Sequence, residues 1–189
     1  MCFWWEKSDL QTIDDGDVSG ATKIESVPVE APASPAGGLD VLGDPFPVKY
    51  ATKRKSTVRL VIHHVGKLTR DVSAQEIHKW HIEKDYGGIG YHFVIRKNGV
   101  IERGRAEDLW GAHCLNQNHD TIGICVVGDF DIQPEVPQAQ LYSLKELVDL
   151  LCKKYPIKGI YGHRDLKATT CPGKNLYAKV KELVPRYST

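Results

Sequence analysis

The chain has 189 residues, of which 41% are hydrophobic and 26% charged, and its formal net charge is +1. This composition is typical of a globular protein that is large enough to bury a core. It excludes a disulfide-stapled scaffold, because the five cysteines are few and scattered. No apolar run is long enough to span a membrane.

The first part of the chain lacks hydrophobic periodicity. The segment 27–38, VPVEAPASPAGG, has the proline, alanine and glycine content of a linker. The sequence therefore predicts an N-terminal arm over residues 1–57 and one domain over residues 58–189. The start, MCFWWEKSD, contains an apolar stretch that is far shorter than the hydrophobic core of a secretory signal peptide. We therefore expect the protein to be synthesised in the cytoplasm.

From residue 58 onward the pattern predicts strands interleaved with helices. Ser73 and Glu76 have the spacing of a helix capping box, and Asn98-Gly99 indicates a hairpin turn. The sequence predicts strands at 58–64, 121–129 and 158–163, a hairpin over 91–105, and helices at 73–84, 137–155 and 176–184. These elements predict an α/β fold, a single domain with a mixed central β-sheet flanked by helices.

Two strand ends carry histidines. Alternation along VRLVIHH places His63 and His64 on opposite faces, so only one of them can face a given site. His163 ends the last predicted strand, and Cys171 follows in a loop that could curl back toward it. Two imidazoles and a thiolate are ligands of open zinc sites.

Two other arrangements are less favoured. Cys171 could instead act as a nucleophile with His163 as its base, which would make the protein a thiol peptidase. His78 and His81 are three residues apart on the predicted helix and could share a metal ion, but a solvated helical face explains them more simply.

The motifs VIHH, GYHFVIRKNGVIERGR, GAH, TIGICVVGDF and GHRD with TTCPG occur in this order. With these motifs the chain resembles the type 2 zinc N-acetylmuramoyl-L-alanine amidases. Within that family it resembles the branch that contains the peptidoglycan recognition proteins and the phage lysozymes. The resemblance spans residues 58–175 and implies the amidase fold of that family.

Carried over residue by residue, the resemblance implies that His63, His163 and Cys171 bind one Zn²⁺ ion. It makes Tyr91 of GYHF and Thr169 catalytic residues beside the metal. His113 of GAH falls in a loop that lines the substrate groove in the family. Asn118 matches a further position of that loop, so both His113 and Asn118 are expected to bind substrate.

The resemblance implies a zinc-dependent hydrolase that cuts the amide bond between N-acetylmuramic acid and L-alanine in bacterial peptidoglycan, as a bacteriolytic phage endolysin. Without a recognisable signal peptide, we expect it to reach the cell wall after release. We expect a monomer with no nucleic-acid partner. Two alternatives stay open: a recognition protein that binds peptidoglycan without cleaving it, and a regulatory protein that also binds a polymerase.

Overall fold

The computed structural model describes residue 39 and residues 41–184, so the FWW segment at 3–5 and the linker at 27–38 lie outside the described residues. The strands are β1 (Val41–Leu42), β2 (Arg59–His64), β3 (Phe93–Ile95), β4 (Ile101–Arg103), β5 (Thr121–Val126) and β6 (Gly159–Gly162). The helices are α1 (Ala74–Glu83), α2 (Gln138–Lys154) and α3 (Lys174–Leu183), and a 3-10 turn spans His163–Asp165.

The six strands form one mixed sheet in the order β1-β4-β3-β5-β2-β6. β2 pairs in parallel with β5 on one side and with β6 on the other. β3 pairs in parallel with β5 and in antiparallel with β4, which completes the predicted hairpin. The predicted mixed α/β sheet is therefore confirmed, with β2 inside it.

Each face of the sheet has its own hydrophobic cluster. The larger cluster joins even-numbered side chains of β2 and β5 to buried leucines and valines of α2 and α3. The smaller one packs α1 against the opposite face through Ala74 and Ile77. Alternation along the strands explains this division, because successive side chains point to opposite faces.

Local sequence signals fix the element ends. Ser73 caps α1 and accepts a hydrogen bond from the Glu76 amide, and the predicted capping box is complete. In the hairpin turn only Gly99 has a positive φ, at 87°. A Cβ atom there would lie 2.9 Å from the Ala139 carbonyl oxygen, so α2 also requires a glycine at this position.

The segment 41–57, which the sequence assigned to the arm, contacts the domain. β1 extends the sheet beside β4, the Phe46 amide donates to the Gly104 carbonyl at 2.8 Å, and the Phe46 and His78 rings stack at 4.7 Å. The described structure thus continues on the N-terminal side of residue 58. The predicted start of the independently folding domain at residue 58 stays a prediction.

Arg54 holds this segment to the fold. Its guanidinium donates to the carbonyl oxygens of Thr121 at 2.7 Å and Leu109 at 3.1 Å, and also to that of Glu107. Burial lowers the pKa of Arg54 from its usual value. A charged group in this environment is costly unless hydrogen-bonded, so these contacts explain why it is tolerated.

We expect Arg54→Met to lower the free energy of unfolding by about 3 kcal/mol, because it removes the guanidinium that donates to the Thr121 and Glu107 carbonyl groups. The change is measured by urea denaturation. Lys53→Met is the matched control, because Lys53 is exposed and its ion pair with Asp108 at 3.8 Å is a surface contact. Equal stability of the two variants would mean that Arg54 does not anchor the segment.

Within residues 41–184, none of the helices combines the length and the apolar character that a bilayer crossing requires.

Candidate metal centre

β2 carries His63 to the edge where the parallel strands end. β6 lies beside it, with Ile62 opposite Gly162, so the residues that follow both strands meet at the same edge. His63 and His64 lie on opposite faces, as alternation predicted, and the His64 ring lies 6.3 Å from that of Phe130 in the larger core cluster. Of the two, only His63 belongs with His163 and Cys171 to a group of potential metal ligands, which we call the metal-binding group.

The residues His63, His163 and Cys171 converge, with their ligand atoms all within 4.8 Å of one another. The Cys171 Sγ atom lies 3.7 Å from His63 Nδ1, and the His63 and His163 rings are 4.5 Å apart. His163 begins the 3-10 turn after β6, and the Arg164 amide donates to the Cys171 carbonyl at 2.9 Å, which closes the returning loop. The predicted triad is therefore brought together.

Both histidines are held in the form that binds a metal. Burial lowers the pKa of His63 well below its usual value, and the nearby His113 and His163 lower it further. Burial and Lys167 lower the pKa of His163 to about 4. Both imidazoles are therefore neutral at pH 7, as metal coordination requires. The His64 amide lies 3.4 Å from the Cys171 sulfur and can donate to its thiolate.

Tyr91 and Thr169 flank this triad. The Tyr91 ring centroid is 5.2 Å from that of His63, and its side chain also hydrogen-bonds the buried thiol of Cys125. The Thr169 hydroxyl accepts a hydrogen bond from the Cys171 amide at 3.3 Å. Both side chains are half-buried, and a direct role of either hydroxyl in the reaction stays a prediction.

His113 and Asn118 both make hydrogen-bond contacts within the protein. His113 is only 6% exposed, and its Nδ1 atom lies 3.0 Å from His63 Nε2. The Asn118 side-chain oxygen accepts hydrogen bonds from the amides of His113 and Cys114 and closes their loop. Binding of substrate by either residue stays a prediction.

Three further histidines have structural contacts that the sequence did not indicate. His78 and His81 accept hydrogen bonds from the Ile89 and Gly90 amides at 3.2 and 3.0 Å. The predicted solvated helical face is therefore wrong, because these rings hold the segment that leads into Tyr91. His92, which precedes β3, accepts a hydrogen bond from the Gly123 amide at 3.0 Å.

A second group of potential ligands, His64, Asp129 and Asp131, lies on the opposite face. The Asp129 carboxylate accepts hydrogen bonds from the Lys67 amide at 2.9 Å and the Asp131 amide at 3.1 Å. Asp131 accepts from the Lys174 amide at the start of α3. These carboxylates connect loops, and this accounts for their positions.

The buried histidines make the metal-free protein sensitive to acid. Burial lowers the pKa of His92 to about 3 and that of His81 to about 4, from 6.5. Between pH 6.5 and 4 the unfolded chain therefore binds more protons, and the free energy of unfolding falls as the pH is lowered through this range. Urea denaturation of the metal-free protein measures the slope.

We expect His81→Asn to flatten this slope, because asparagine keeps an acceptor for the Gly90 amide but does not titrate. His119→Asn serves as the control, because the His119 side chain is 53% exposed. Stability that does not change between pH 7 and 4.5 would contradict the expectation.

Comparisons with known proteins agree with the fold that brings His63, His163 and Cys171 together. The family model described as N-acetylmuramoyl-L-alanine amidase matches residues 53–174, which include the whole candidate centre. The endolysin of Enterobacteria phage K11 is 36% identical over 141 residues, which cover 70% of this chain and 93% of that protein.

Solved structures agree with the sequence comparisons. The N-acetylmuramoyl-L-alanine amidase LysC from Clostridium intestinale URNW superposes with a TM-score of 0.65 at 32% identity, covering 75% of this chain and 97% of that one. A Drosophila PGRP-LB mutant in complex with tracheal cytotoxin superposes with a TM-score of 0.67 at 25% identity. The match covers 75% of this chain and 89% of that one.

Proposed function

Since the chain belongs to the N-acetylmuramoyl-L-alanine amidase family, we propose that one zinc ion, held by His63, His163 and Cys171, serves its hydrolytic site. The protein hydrolyses the amide bond between N-acetylmuramic acid and L-alanine in bacterial peptidoglycan, and it is of the phage endolysin type. The observation that carries the zinc proposal is the convergence of two neutral imidazoles and one thiol.

The donor set fits zinc. A thiolate with two imidazoles suits this borderline-soft ion, and three protein ligands leave the open position of a catalytic site. The amide of His64 is directed at the Cys171 sulfur, which favours its thiolate form. When bound, zinc lowers the pKa of a coordinated water to ~7 and polarises the scissile carbonyl.

Tyr91 and Thr169 supply the hydroxyl groups of the site. As the amide carbonyl is attacked, its oxygen gains negative charge, and a positioned hydroxyl stabilises that charge by donating a hydrogen bond. Tyr91 is the stronger candidate for this role, because its ring packs directly against His63. Thr169 has a second task, since its oxygen also fixes the Cys171 amide.

A recognition protein without catalysis is the main alternative. The PGRP-LB mutant shows that a related fold holds tracheal cytotoxin, so this fold can bind a peptidoglycan fragment. Against pure binding stands Cys171, because a binding groove has no need of a thiol directed at two buried histidines. We propose that peptidoglycan is the partner and the cell wall the place of action, reached after release from the cytoplasm.

The products distinguish these functions. The zinc-loaded full chain is incubated with purified peptidoglycan, and the new termini are identified chemically. Amide hydrolysis adds water across the bond and liberates the amino group of L-alanine without new reducing sugar ends. Binding without new amino termini would favour the recognition protein, and new termini at other residues of the stem peptide would favour a peptidase.

A further inference from the structure

His113 contacts the metal-binding group from within the protein. Its Nδ1 atom is 3.0 Å from His63 Nε2, on the ring edge of His63 opposite to the Nδ1 atom that faces Cys171. The rings of His63 and His113 meet edge to face, with centroids 5.0 Å apart. His63 is therefore held between a sulfur on one side and a second imidazole on the other.

Two glycines create the space for this second imidazole. A Cβ atom on Gly123 of β5 would lie 2.5 Å from the His113 Cγ and Cδ2 atoms, and a Cβ atom on Gly111 would also collide with the ring. Contacts this short do not occur between real atoms, so any side chain at either position would displace His113. The ring position is thus specified by its surroundings.

The directions of the hydrogen bonds determine which nitrogen carries each proton. The Thr121 hydroxyl donates to the Gln117 carbonyl at 2.7 Å, so its oxygen must accept from His113 Nε2 at 3.4 Å. A neutral imidazole has one donor and one acceptor nitrogen, which leaves His113 Nδ1 as an acceptor. His63 Nε2 must then donate, and the lone pair of His63 is on Nδ1.

We propose that the relay from Gln117 through Thr121 and His113 fixes the tautomer of His63, so that its Nδ1 lone pair is presented to the metal. His113 and Thr121 are positioning residues that act through His63. This inference rests on the proposed zinc site. It assigns His113 a task that differs from the substrate contact expected from the sequence.

A fixed tautomer matters because coordination needs the lone pair on one particular nitrogen. Without the relay, the proton of His63 could occupy Nδ1, and the ring would have to exchange it before binding a metal. Supporting hydrogen bonds of this kind typically contribute roughly 10–100-fold to metal affinity or activity.

Zinc affinity of the full chain is measured by competition with a chromophoric chelator. We expect His113→Phe to weaken zinc binding by roughly 10–100-fold, because the ring is kept and the acceptor is lost. Thr121→Val, which is isosteric, should weaken zinc binding by a smaller factor than His113→Phe does. Thr121→Ser, which keeps a hydroxyl, should bind zinc as the wild type does. Equal affinities of wild type, His113→Phe and Thr121→Val would overturn the inference.

His92→Phe is the matched control. The His92 ring centroid lies 5.7 Å from that of His113, and its nitrogens bond the Gly123 amide and the Leu109 carbonyl, not His63. The same substitution here removes a buried imidazole without breaking the relay. If His92→Phe weakened zinc binding as much as His113→Phe, the effect would be one of packing, and the inference would fail.

Nitrogen NMR of the histidine rings tests the relay without any metal. In the metal-free wild type at neutral pH, His63 should carry its proton on Nε2, and Thr121→Val should yield a mixture of tautomers. A wild type with the proton on Nδ1 would overturn the inference. If the wild type failed to bind zinc but showed the Nε2 tautomer, the zinc proposal would fail while the relay stood.

Discussion

Cys171→Ser is expected to abolish zinc binding and hydrolysis together. The serine hydroxyl is protonated at neutral pH and is a poor ligand, whereas the thiolate completes the group formed with His63 and His163. We expect the loss of affinity to exceed the roughly 10–100-fold that removal of a supporting hydrogen bond costs. Chelator competition and release of L-alanine amino groups measure the two effects.

Cys152→Ser is the matched control, because Cys152 is half-buried on α2 and packs against the larger core cluster, away from the metal-binding group. The Cys152→Ser variant should keep the zinc affinity and the turnover of the wild type. If Cys171→Ser retained wild-type zinc affinity, Cys171 would not be a ligand.

Removal of the metal separates the zinc amidase from the thiol peptidase. In the amidase, a strong chelator should inactivate the wild type, added zinc should restore it, and alkylation of Cys171 should be slow while the metal is bound. In the peptidase, Cys171 attacks the carbonyl itself with His163 as base, and no metal is needed. Full activity in chelator with rapid inactivation by a thiol reagent would establish the peptidase.

Tyr91→Phe is expected to lower turnover by about 10²–10⁴-fold while zinc stays bound. The ring continues to pack against His63, whose centroid is 5.2 Å away. The hydroxyl that would stabilise the developing negative charge is lost. Steady-state kinetics on soluble peptidoglycan fragments measure the effect, and it should appear in kcat more than in KM, because the charge develops only in the transition state.

Tyr86→Phe supplies the comparison for Tyr91. The Tyr86 ring contacts His81 at 5.4 Å, as the Tyr91 ring does at 5.6 Å. The same hydroxyl deletion at Tyr86, which is half-buried, should leave turnover within about twofold of wild type, because Tyr86 is not among the residues proposed for the reaction. If turnover of Tyr91→Phe also stayed at the wild-type level, Tyr91 would have no part in the reaction.

Periodicity and capping signals predicted the larger elements well because they are local. The capping box of Ser73 and Glu76 forms as expected, and Asn98-Gly99 joins the two hairpin strands. The segment 41–57 was harder to predict. The contacts of Arg54 join it to carbonyl groups more than 50 positions away, and no local pattern reveals them.

The metal-binding triad was accessible from sequence for a similar reason. Alternation predicted that His63 and His64 face opposite ways, and the resemblance indicated that His63 is the one expected to bind the metal. The contact of His113 with His63 was not accessible, because it depends on space left by Gly111 and Gly123. A glycine inside a strand indicates close approach by another group, so Gly123 was the signal that could have pointed to it.

The three proposed ligands come from regions that differ in how many hydrogen bonds hold the backbone in place. β2 is hydrogen-bonded on both sides, so its amides should exchange with solvent only when the sheet separates. Cys171 lies on a loop, and its own amide is held by the Thr169 hydroxyl. Local opening of this loop can therefore release one ligand while His63 stays in place. If zinc is bound as proposed, we expect the opening rate of this loop to set the residence time of the ion, so that an intact protein loses and regains it without unfolding.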